Sequence, residues 1–239
     1  MRNGWQTIMA KFEPMETTER LYVRVARRIS KLIESGDVKP GDKLPSERDL
    51  ADMLNVSRPS IREAMIALEV SGVIEVRTGS GIYVCENQFV PVTDEGIGPF
   101  EILEMRLLVE PAACALAAER ITNEQLARLQ QIYIELERTN GTQQMEAFDE
   151  QFHKLIGEAT ENTAIDKTIS WLWVMRGHSQ LSRGYHRLIV EEGVYPRLDE
   201  HKKILDALMS HDPVAAKSAM RKHLIAATAS AAQHFTDQQ

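Results

Sequence analysis

The chain has 239 residues, a formal net charge of −7 and 26% charged residues, which is ordinary for a globular protein. Its acidic balance excludes a protein that coats nucleic acid through overall positive charge. No apolar run approaches the roughly 18 residues that cross a bilayer, and no secretory signal is visible, so we expect no membrane span. The two cysteines, Cys85 and Cys114, lack metal-type spacing and fit reduced thiols in a cytoplasmic protein.

The acidic excess lies in the second part of the chain. Residues 1–86 contain 13 Lys+Arg and 13 Asp+Glu, whereas residues 87–239 contain 15 and 22. Because the N-terminal part has no net positive charge, any DNA binding there must depend on a few arginines placed on one face.

Hydrophobic periodicity begins after the first 17 residues, and we interpret residues 1–17 as a flexible arm. An apolar residue then recurs at every fourth position, at Leu21, Val25, Ile29 and Ile33. This spacing predicts an amphipathic helix over residues 18–35, which Gly36 ends. A strong turn signal follows in the stretch Lys39-Pro40-Gly41-Asp42.

Two further helices joined by a tight turn are predicted next. Ser46 is a good N-cap residue with Asp49 three positions on, and Ser57 stands in the same place before the second helix. Pro59 is tolerated in the first turn of that helix, because no amide donor is needed there. In a helix-turn-helix, the N-terminal residues of the second helix reach base edges in the major groove.

A β-hairpin is predicted after these helices. Ile74 and Val76 alternate with polar residues, as do Ile82 and Val84, on either side of a tip with the sequence Thr-Gly-Ser-Gly. A single surface arginine or glycine-rich tip is usually without special function. The order of a capped helix, a short turn, an arginine-bearing helix and a hairpin is typical of a winged helix-turn-helix DNA-binding domain.

The segment from Gly41 to Val84 resembles the DNA-binding domain of the GntR family of bacterial transcription factors, and the resemblance covers about residues 18–86. It implies double-stranded operator DNA as a partner. The positions that correspond to operator contacts are Arg48, Ser57, Arg58, Ser60 and Arg62 in the helices and Thr78 and Gly79 at the wing tip.

Residues 87–98 are polar with one proline and two glycines, and we interpret them as a linker. From residue 99 to residue 235, helical hydrophobic spacing recurs and predicts about six helices in an all-α bundle. Pro111 lies inside the first of these patterns and predicts a kink or a break there. The predicted fold is therefore mainly α: an N-terminal winged helix-turn-helix with a small β-hairpin wing, followed by a helical bundle.

Four residues of the second domain have metal-ligand character. Asp149 and His153 are four positions apart and project from one helix face, while His201 and His223 lie in two further predicted helices. Three imidazoles and one carboxylate can bind a divalent transition metal in a bundle core. Structural histidines are the alternative, because the domain contains others at His178, His186, His211 and His234.

The helical region resembles the FCD ligand-binding domain of the FadR subfamily of GntR regulators. This resemblance implies a metal site at Asp149, His153, His201 and His223, with zinc expected and nickel or manganese open. It also implies a small carboxylate effector near the metal, for which the candidate residues are Arg106, Asn162 and Arg176. The alternative for Arg106 is an ion pair with Glu110 or Glu101 on its own helix.

Three stretches are similar to hexuronate-utilisation repressors of the UxuR/ExuR type: residues 98–106, 171–176 and 201–208. We therefore expect a homodimeric cytoplasmic repressor that binds a pseudo-palindromic operator and is released by a sugar acid. Three alternatives stay open: a regulator of another organic-acid pathway, a structural metal that only stabilises the bundle, and a metal-dependent enzyme that activates water at the same four residues.

Overall fold

The computed structural model describes residues 19–86, 96–191, 193, 195 and 197–235. The predicted arm and most of the predicted linker lie outside these residues. Within them, ten helices and one two-stranded antiparallel sheet are present, which confirms the predicted mainly α fold. The N-terminal elements are α1 (Leu21–Glu34), α2 (Glu47–Leu54), α3 (Arg58–Val70), β1 (Ile74–Arg77) and β2 (Gly81–Val84).

Side-chain caps define the two helices of the helix-turn-helix. The Ser46 hydroxyl accepts a hydrogen bond from the Asp49 backbone amide at the start of α2, and Ser57 accepts one from the Ser60 amide at the start of α3. Between them Asn55 adopts a left-handed conformation with φ 52°, which ends α2. Asn tolerates this conformation better than most residues, and this explains the tight turn.

The wing is a short hairpin whose register pairs Ile74 with Val84 and Arg77 with Gly81. Gly79 at its tip has φ +75°, a conformation that glycine adopts without steric cost. An isolated bridge between Lys43 and Tyr83 adds the loop before α2 to the hairpin edge. The strand β2, which follows the exposed tip, is therefore paired through its backbone on both edges.

The helical domain contains seven helices among the described residues, one more than the approximate count from sequence. They are α4 (Pro99–Arg120), α5 (Asn123–Arg138), α6 (Met145–Ala159), α7 (Thr163–His178), α8 (Gln180–Glu191), α9 (Leu198–Met209) and α10 (Pro213–Ala232), followed by a 3₁₀ turn (Gln233–Phe235). None of the described helices is long and apolar enough to cross a membrane.

The predicted break at Pro111 was wrong, because α4 continues through this residue as a single helix of 22 residues. A proline in a helix interior costs about 3 kcal/mol. Pro111 is buried, and so are the large apolar side chains of Phe100 and Ile102 on the same helix. Burial of large apolar side chains contributes about 1.5–3 kcal/mol each, so the packing around α4 offsets the cost of the proline.

One hydrophobic core extends across the boundary between the two domains. Side chains of α1, α3 and the wing pack in the same cluster as Phe100 of α4, Tyr185 of α8 and Phe235 of the 3₁₀ turn. A second core lies within the helical domain, between α4, α5, α6, α9 and α10. The winged helix-turn-helix domain is therefore packed directly on the helical domain.

Candidate metal centre and DNA-binding face

Three helices bring the four candidate metal ligands together. Asp149 and His153 lie one turn apart on α6, His201 lies on α9 and His223 lies on α10, and all four are buried. One ligand atom from each residue lies within 4.8 Å of the others. The histidines outside this set make other contacts: for example, His211 is hydrogen-bonded to the Ala118 carbonyl.

Each histidine of the cluster has its Nδ1 atom next to an acceptor. His201 Nδ1 lies 2.9 Å from the carbonyl oxygen of Arg197, and His223 Nδ1 lies 3.1 Å from Glu200 Oε2. The Nδ1 atom of His153 lies 2.7 Å from Oε2 of Glu110. Such partners fix ring orientation in metal sites and leave Nε2 as the ligand atom.

The cluster fits a metal ion in one further respect. His153 Nε2 is buried and has no hydrogen-bond partner among the described residues. A buried polar atom without a partner costs about 1–3 kcal/mol, and an ion between the four side chains would remove this cost. Three imidazole nitrogens and one carboxylate oxygen suit Zn²⁺ and also Ni²⁺ or Mn²⁺.

The protonation states of two of these groups also suit ligation. Burial alone would raise the pKa of Asp149, but the neighbouring imidazoles of His153 and His201 hold it well below its usual range. Burial, together with the neighbouring His201 and His153, lowers the pKa of His223 well below its usual value. His153 differs: burial lowers its pKa, but the carboxylates of Glu110 and Asp149 together outweigh this and raise it. Since a metal binds the deprotonated imidazole, metal binding here would compete with protonation of His153.

A cavity of about 110 Å³ adjoins the cluster. Asp149 and His223 line it, and so do the guanidinium-bearing residues Arg106 and Arg176. Tyr185 of α8 contributes to its wall, and its hydroxyl donates a hydrogen bond to the Ala231 carbonyl. A mainly apolar cavity with a few convergent charged groups is the usual form of a small-molecule site.

The two arginines of the cavity both lie against the ring of Trp173. Arg106 Cζ is 4.3 Å and Arg176 Cζ is 4.8 Å from the centroid of the Trp173 ring. Arg106 also pairs with Glu110, with Nε 2.6 Å from Oε1, so the alternative considered from sequence is realised even though Arg106 lines the cavity. Arg176 Nη1 lies 3.6 Å from Asp149 Oδ2, so Arg176 contacts one of the four candidate metal ligands, which we call the metal cluster.

Asn162, the third effector residue suggested by the sequence, is exposed at the start of α7. Its side-chain oxygen accepts hydrogen bonds from the amides of Ala164 and Ile165, so it acts as the helix N-cap. It is not among the residues that line the cavity. The structure therefore brings Arg106 and Arg176 together with the metal cluster but not Asn162.

The expected operator-contacting residues fall into two groups. Arg48, Ser57 and Arg58 are exposed near the N-termini of α2 and α3, Ser60 is half-buried beside them, and Thr78 and Gly79 are exposed at the wing tip. Arg62 differs, because its side chain is only 17% exposed and its Nε lies 2.5 Å from Glu47 Oε1. Its Cζ is also 5.1 Å from the centroid of the Phe100 ring.

Both halves of the chain match known families. Residues 21–84 match "Bacterial regulatory proteins, gntR family", and residues 101–226 match the "FCD domain". The chain belongs to the GntR family and carries an FCD domain. The resemblances inferred from the sequence are thereby confirmed, and this GntR protein is a DNA-binding transcriptional regulator rather than an enzyme.

Curated relatives of this GntR regulator include proteins named for two gene systems. The "Exu regulon transcriptional regulator" of Escherichia coli (strain K12) is 40% identical over 221 residues, which cover 88% of this chain and 84% of that protein. The "Uxu operon transcriptional regulator" of the same strain is 36% identical over 220 residues, covering 87% and 85%. A solved structure titled "Streptococcus agalactiae GntR" has 30% identity and a TM-score of 0.44, covering 86% of this chain and 98% of that one.

Several residues of the GntR regulator's site were not singled out as site residues from sequence. Glu110 and Glu200 lie beside the Nδ1 atoms of candidate ligand histidines, and Trp173 contacts both arginines. Glu200 directly precedes His201 in the chain but contacts His223, so no spacing rule links it to its partner. The position of Glu110 four residues after Arg106 indicated an ion pair only.

Proposed function

We propose that this regulator is a homodimeric repressor of sugar-acid catabolism genes of the hexuronate type, released from its operator by a sugar acid. The observation that carries the proposal is the cavity bounded by Arg106 and Arg176 and by Asp149 and His223 of the metal cluster. A hexuronate combines a carboxylate with several hydroxyl groups. Guanidinium groups bind carboxylates through paired charge-assisted hydrogen bonds. The names of the two relatives, which refer to the Exu regulon and the Uxu operon, support this choice of pathway.

The metal site would hold Zn²⁺ through Asp149, His153, His201 and His223. A bound divalent ion supplies a positive charge that attracts a carboxylate or hydroxyl oxygen of the effector. Arg176 would orient the effector beside it, because its guanidinium group already lies near Asp149 and against Trp173. Arg106 has a second role, since its ion pair with Glu110 fixes the carboxylate next to His153.

Operator binding would use the exposed residues of the helix-turn-helix and the wing. Arg58 stands at the first position of α3, where such residues reach base edges, and each good arginine–guanine pair contributes about 1–3 kcal/mol of discrimination. Ser57 and Ser60 would contact the DNA beside it, together with Arg48 of α2. Gly79 and Thr78 at the wing tip would approach the minor groove, because glycine there lets the backbone come close.

The dimer contact would use exposed apolar side chains on α4 and α7. Leu108 and Met105 on α4 are 71% and 40% exposed, and Trp171 and Val174 on α7 are 48% and 39% exposed. The two helices pack against each other, so a second copy could cover both through one isologous interface. A two-fold dimer matches a pseudo-palindromic operator.

To test the proposal, an operator sequence is first identified by selecting bound DNA from a pool of random duplexes. The full-length protein is loaded with Zn²⁺, and its operator affinity is measured by fluorescence anisotropy with galacturonate, glucuronate or galactose. We expect the two hexuronates to weaken binding and to raise Tm, galactose to do neither because it lacks the carboxylate, and chelation of the metal to remove the response.

Two results would contradict the proposal in different ways. A response to a short hydroxy acid with none to hexuronates would assign the regulator to another organic-acid pathway. A hexuronate response that persists after complete metal removal would give the ion a structural role only.

A further inference from the structure

The helix α3 carries a buried carboxylate that contacts the helical domain. Glu63 is 2% exposed, and its Oε1 accepts hydrogen bonds from the backbone amides of Phe100, at 2.8 Å, and Glu101, at 3.1 Å. These amides belong to the first turn of α4, where no intrahelical carbonyl is available to them. A side chain of one domain thus supplies the N-terminal acceptor of a helix in the other.

Gly98 shows how closely the carboxylate is fitted to this turn. The backbone of Gly98 is extended, with φ −75° and ψ 156°, so any residue could adopt its conformation. A Cβ atom at this position would lie 2.0 Å from Cδ and from Oε2 of Glu63. Glycine is therefore required here because the Glu63 carboxylate occupies the space that a side chain would need.

The same turn of α4 forms part of the wall of the effector cavity. Pro99, Ile102 and Leu103 line that cavity, and Arg106 follows one turn later. Helix α8, which lines the cavity, and the 3₁₀ turn that follows α10 also contact the DNA-binding domain. On α8, a Cβ at Gly184 would lie 2.8 Å from a methyl carbon of Val70, and after α10 His234 is hydrogen-bonded to Glu69.

We propose that Glu63 is a positioning residue that fixes helix α3 to the first turn of α4 and thereby couples operator binding to the state of the effector cavity. The fixing of α3 stands on the contacts alone, whereas the coupling rests on the proposed function. Of these contacts, the Glu63 contact is the one in which a side chain of α3 directly satisfies backbone groups in the first turn of α4. A shift of the α4 turn on effector binding would therefore move or release α3.

The fixing of α3 is tested by a double-mutant cycle in the full-length protein, with Glu63→Ala, Gly98→Ala and the double variant. Exchange of the Phe100 and Glu101 amides with solvent deuterium is followed by NMR. We expect each single change to accelerate exchange of these two amides by about tenfold, the effect of one lost hydrogen bond. The double variant should resemble Glu63→Ala, because the added methyl group then meets no carboxylate.

Glu63→Gln is the conservative variant, since its amide oxygen can accept both hydrogen bonds, and it should retain the wild-type exchange rates. Glu104→Gln, at an exposed position on α4, is the matched control. Fully additive effects of Glu63→Ala and Gly98→Ala, or wild-type protection in Glu63→Ala, would overturn the assignment.

The coupling is tested by the ratio of operator affinities with and without galacturonate in the Zn²⁺-loaded protein. We expect this ratio to fall toward one in Glu63→Ala and to be kept in Glu63→Gln. An unchanged ratio in a folded Glu63→Ala protein would overturn the coupling. A wild-type ratio of one would refute galacturonate as effector, and the exchange cycle would then still decide whether Glu63 fixes α3.

Discussion

Arg62 and Glu47 form an ion pair within the DNA-binding domain, with Arg62 Nε 2.5 Å from Glu47 Oε1. The pair joins α3 to α2, and the same guanidinium group lies over the ring of Phe100 in α4. Arg58, four positions earlier on α3, is exposed instead. Two arginines that the family resemblance assigns to one role therefore stand in different environments.

We expect Arg58→Ala and Arg62→Ala to have different effects. Loss of Arg58 should lower operator affinity about tenfold or more without changing Tm, because the side chain is free to contact a base. Loss of Arg62 leaves the buried Glu47 carboxylate without its partner and should lower the free energy of unfolding by about 3 kcal/mol. Fluorescence anisotropy and urea denaturation measure the two effects.

The matched control for both variants is Arg128→Ala, which removes an arginine that is 55% exposed in the helical domain and paired with Glu158. It should change neither the operator affinity nor the free energy of unfolding. Normal operator binding by Arg58→Ala would remove it from the operator-contacting set, and normal stability of Arg62→Ala would mean that its ion pair contributes nothing to folding.

Local structure in the DNA-binding domain follows directly from the sequence. Ser46 and Ser57 cap helices because their hydroxyls accept from backbone amides within three residues, which is a purely local interaction. The environment of Arg62 is not local. Its partner Glu47 lies 15 positions earlier and Phe100 lies in the other domain, so no periodicity distinguishes Arg62 from Arg58.

In the helical domain, too, the sequence predicts local relationships but not those that depend on tertiary packing. Spacing and the family resemblance together selected Asp149 and three of the seven histidines as candidate metal ligands, because Asp149 and His153 are joined by an i, i+4 relationship. By contrast, the number of helices and the continuity of α4 depend on tertiary packing, which outweighs the local preference of Pro111.

The metal cluster predicts a graded response to substitution. His201→Ala should abolish binding of Zn²⁺, whereas Glu200→Gln should weaken it by about 10- to 100-fold, because only the orientation of His223 is affected. Both can be measured by competition with a chromogenic chelator. At a free ion concentration 100 times Kd, the wild type should gain about 2.7 kcal/mol of stability.

His178→Ala is the control for the metal experiment, because His178 is exposed and its ring contacts the Val174 carbonyl outside the cluster. It should bind Zn²⁺ like the wild type. Full metal stoichiometry with unchanged affinity in His201→Ala would exclude the cluster as the binding site.

Leu108→Glu should dissociate the proposed dimer, because a charge at the centre of an apolar contact would be buried without a partner. Sedimentation velocity at micromolar concentration should show a monomer. Val214→Glu changes an apolar residue that is 80% exposed at the start of α10, and this control should stay dimeric. A dimer in Leu108→Glu would place the contact elsewhere.

Glu63 predicts a dependence of stability on pH. Burial raises the pKa of Glu63 from 4.5 to about 8, against the opposing effect of the Phe100 and Glu101 amides and of Arg62; the charge of Glu101 adds to the increase. At pH values between 4.5 and about 8, Glu63 keeps a proton in the folded protein that it releases in the unfolded chain. The contribution of this group to the free energy of unfolding therefore decreases as pH rises from about 4.5 to about 8.

Glu63→Gln carries no titrating proton and should lack this contribution. Urea denaturation at pH 5, 6, 7 and 8, with chelator present for both proteins, should show the wild type losing stability relative to the variant as pH rises. Parallel stability profiles for the two proteins would contradict the raised pKa.

The core that crosses the domain boundary limits how far this DNA-binding domain can be exchanged. Phe100, Tyr185 and Phe235 belong to the helical domain, yet they pack with α1, α3 and the wing. A chimera that joins residues 19–86 to a different effector domain would remove these aromatic side chains and expose the apolar surface beneath them. Such a fusion would need substitutions on α3, or new aromatic residues in the acceptor, before its DNA-binding half could fold with the stability of the parent.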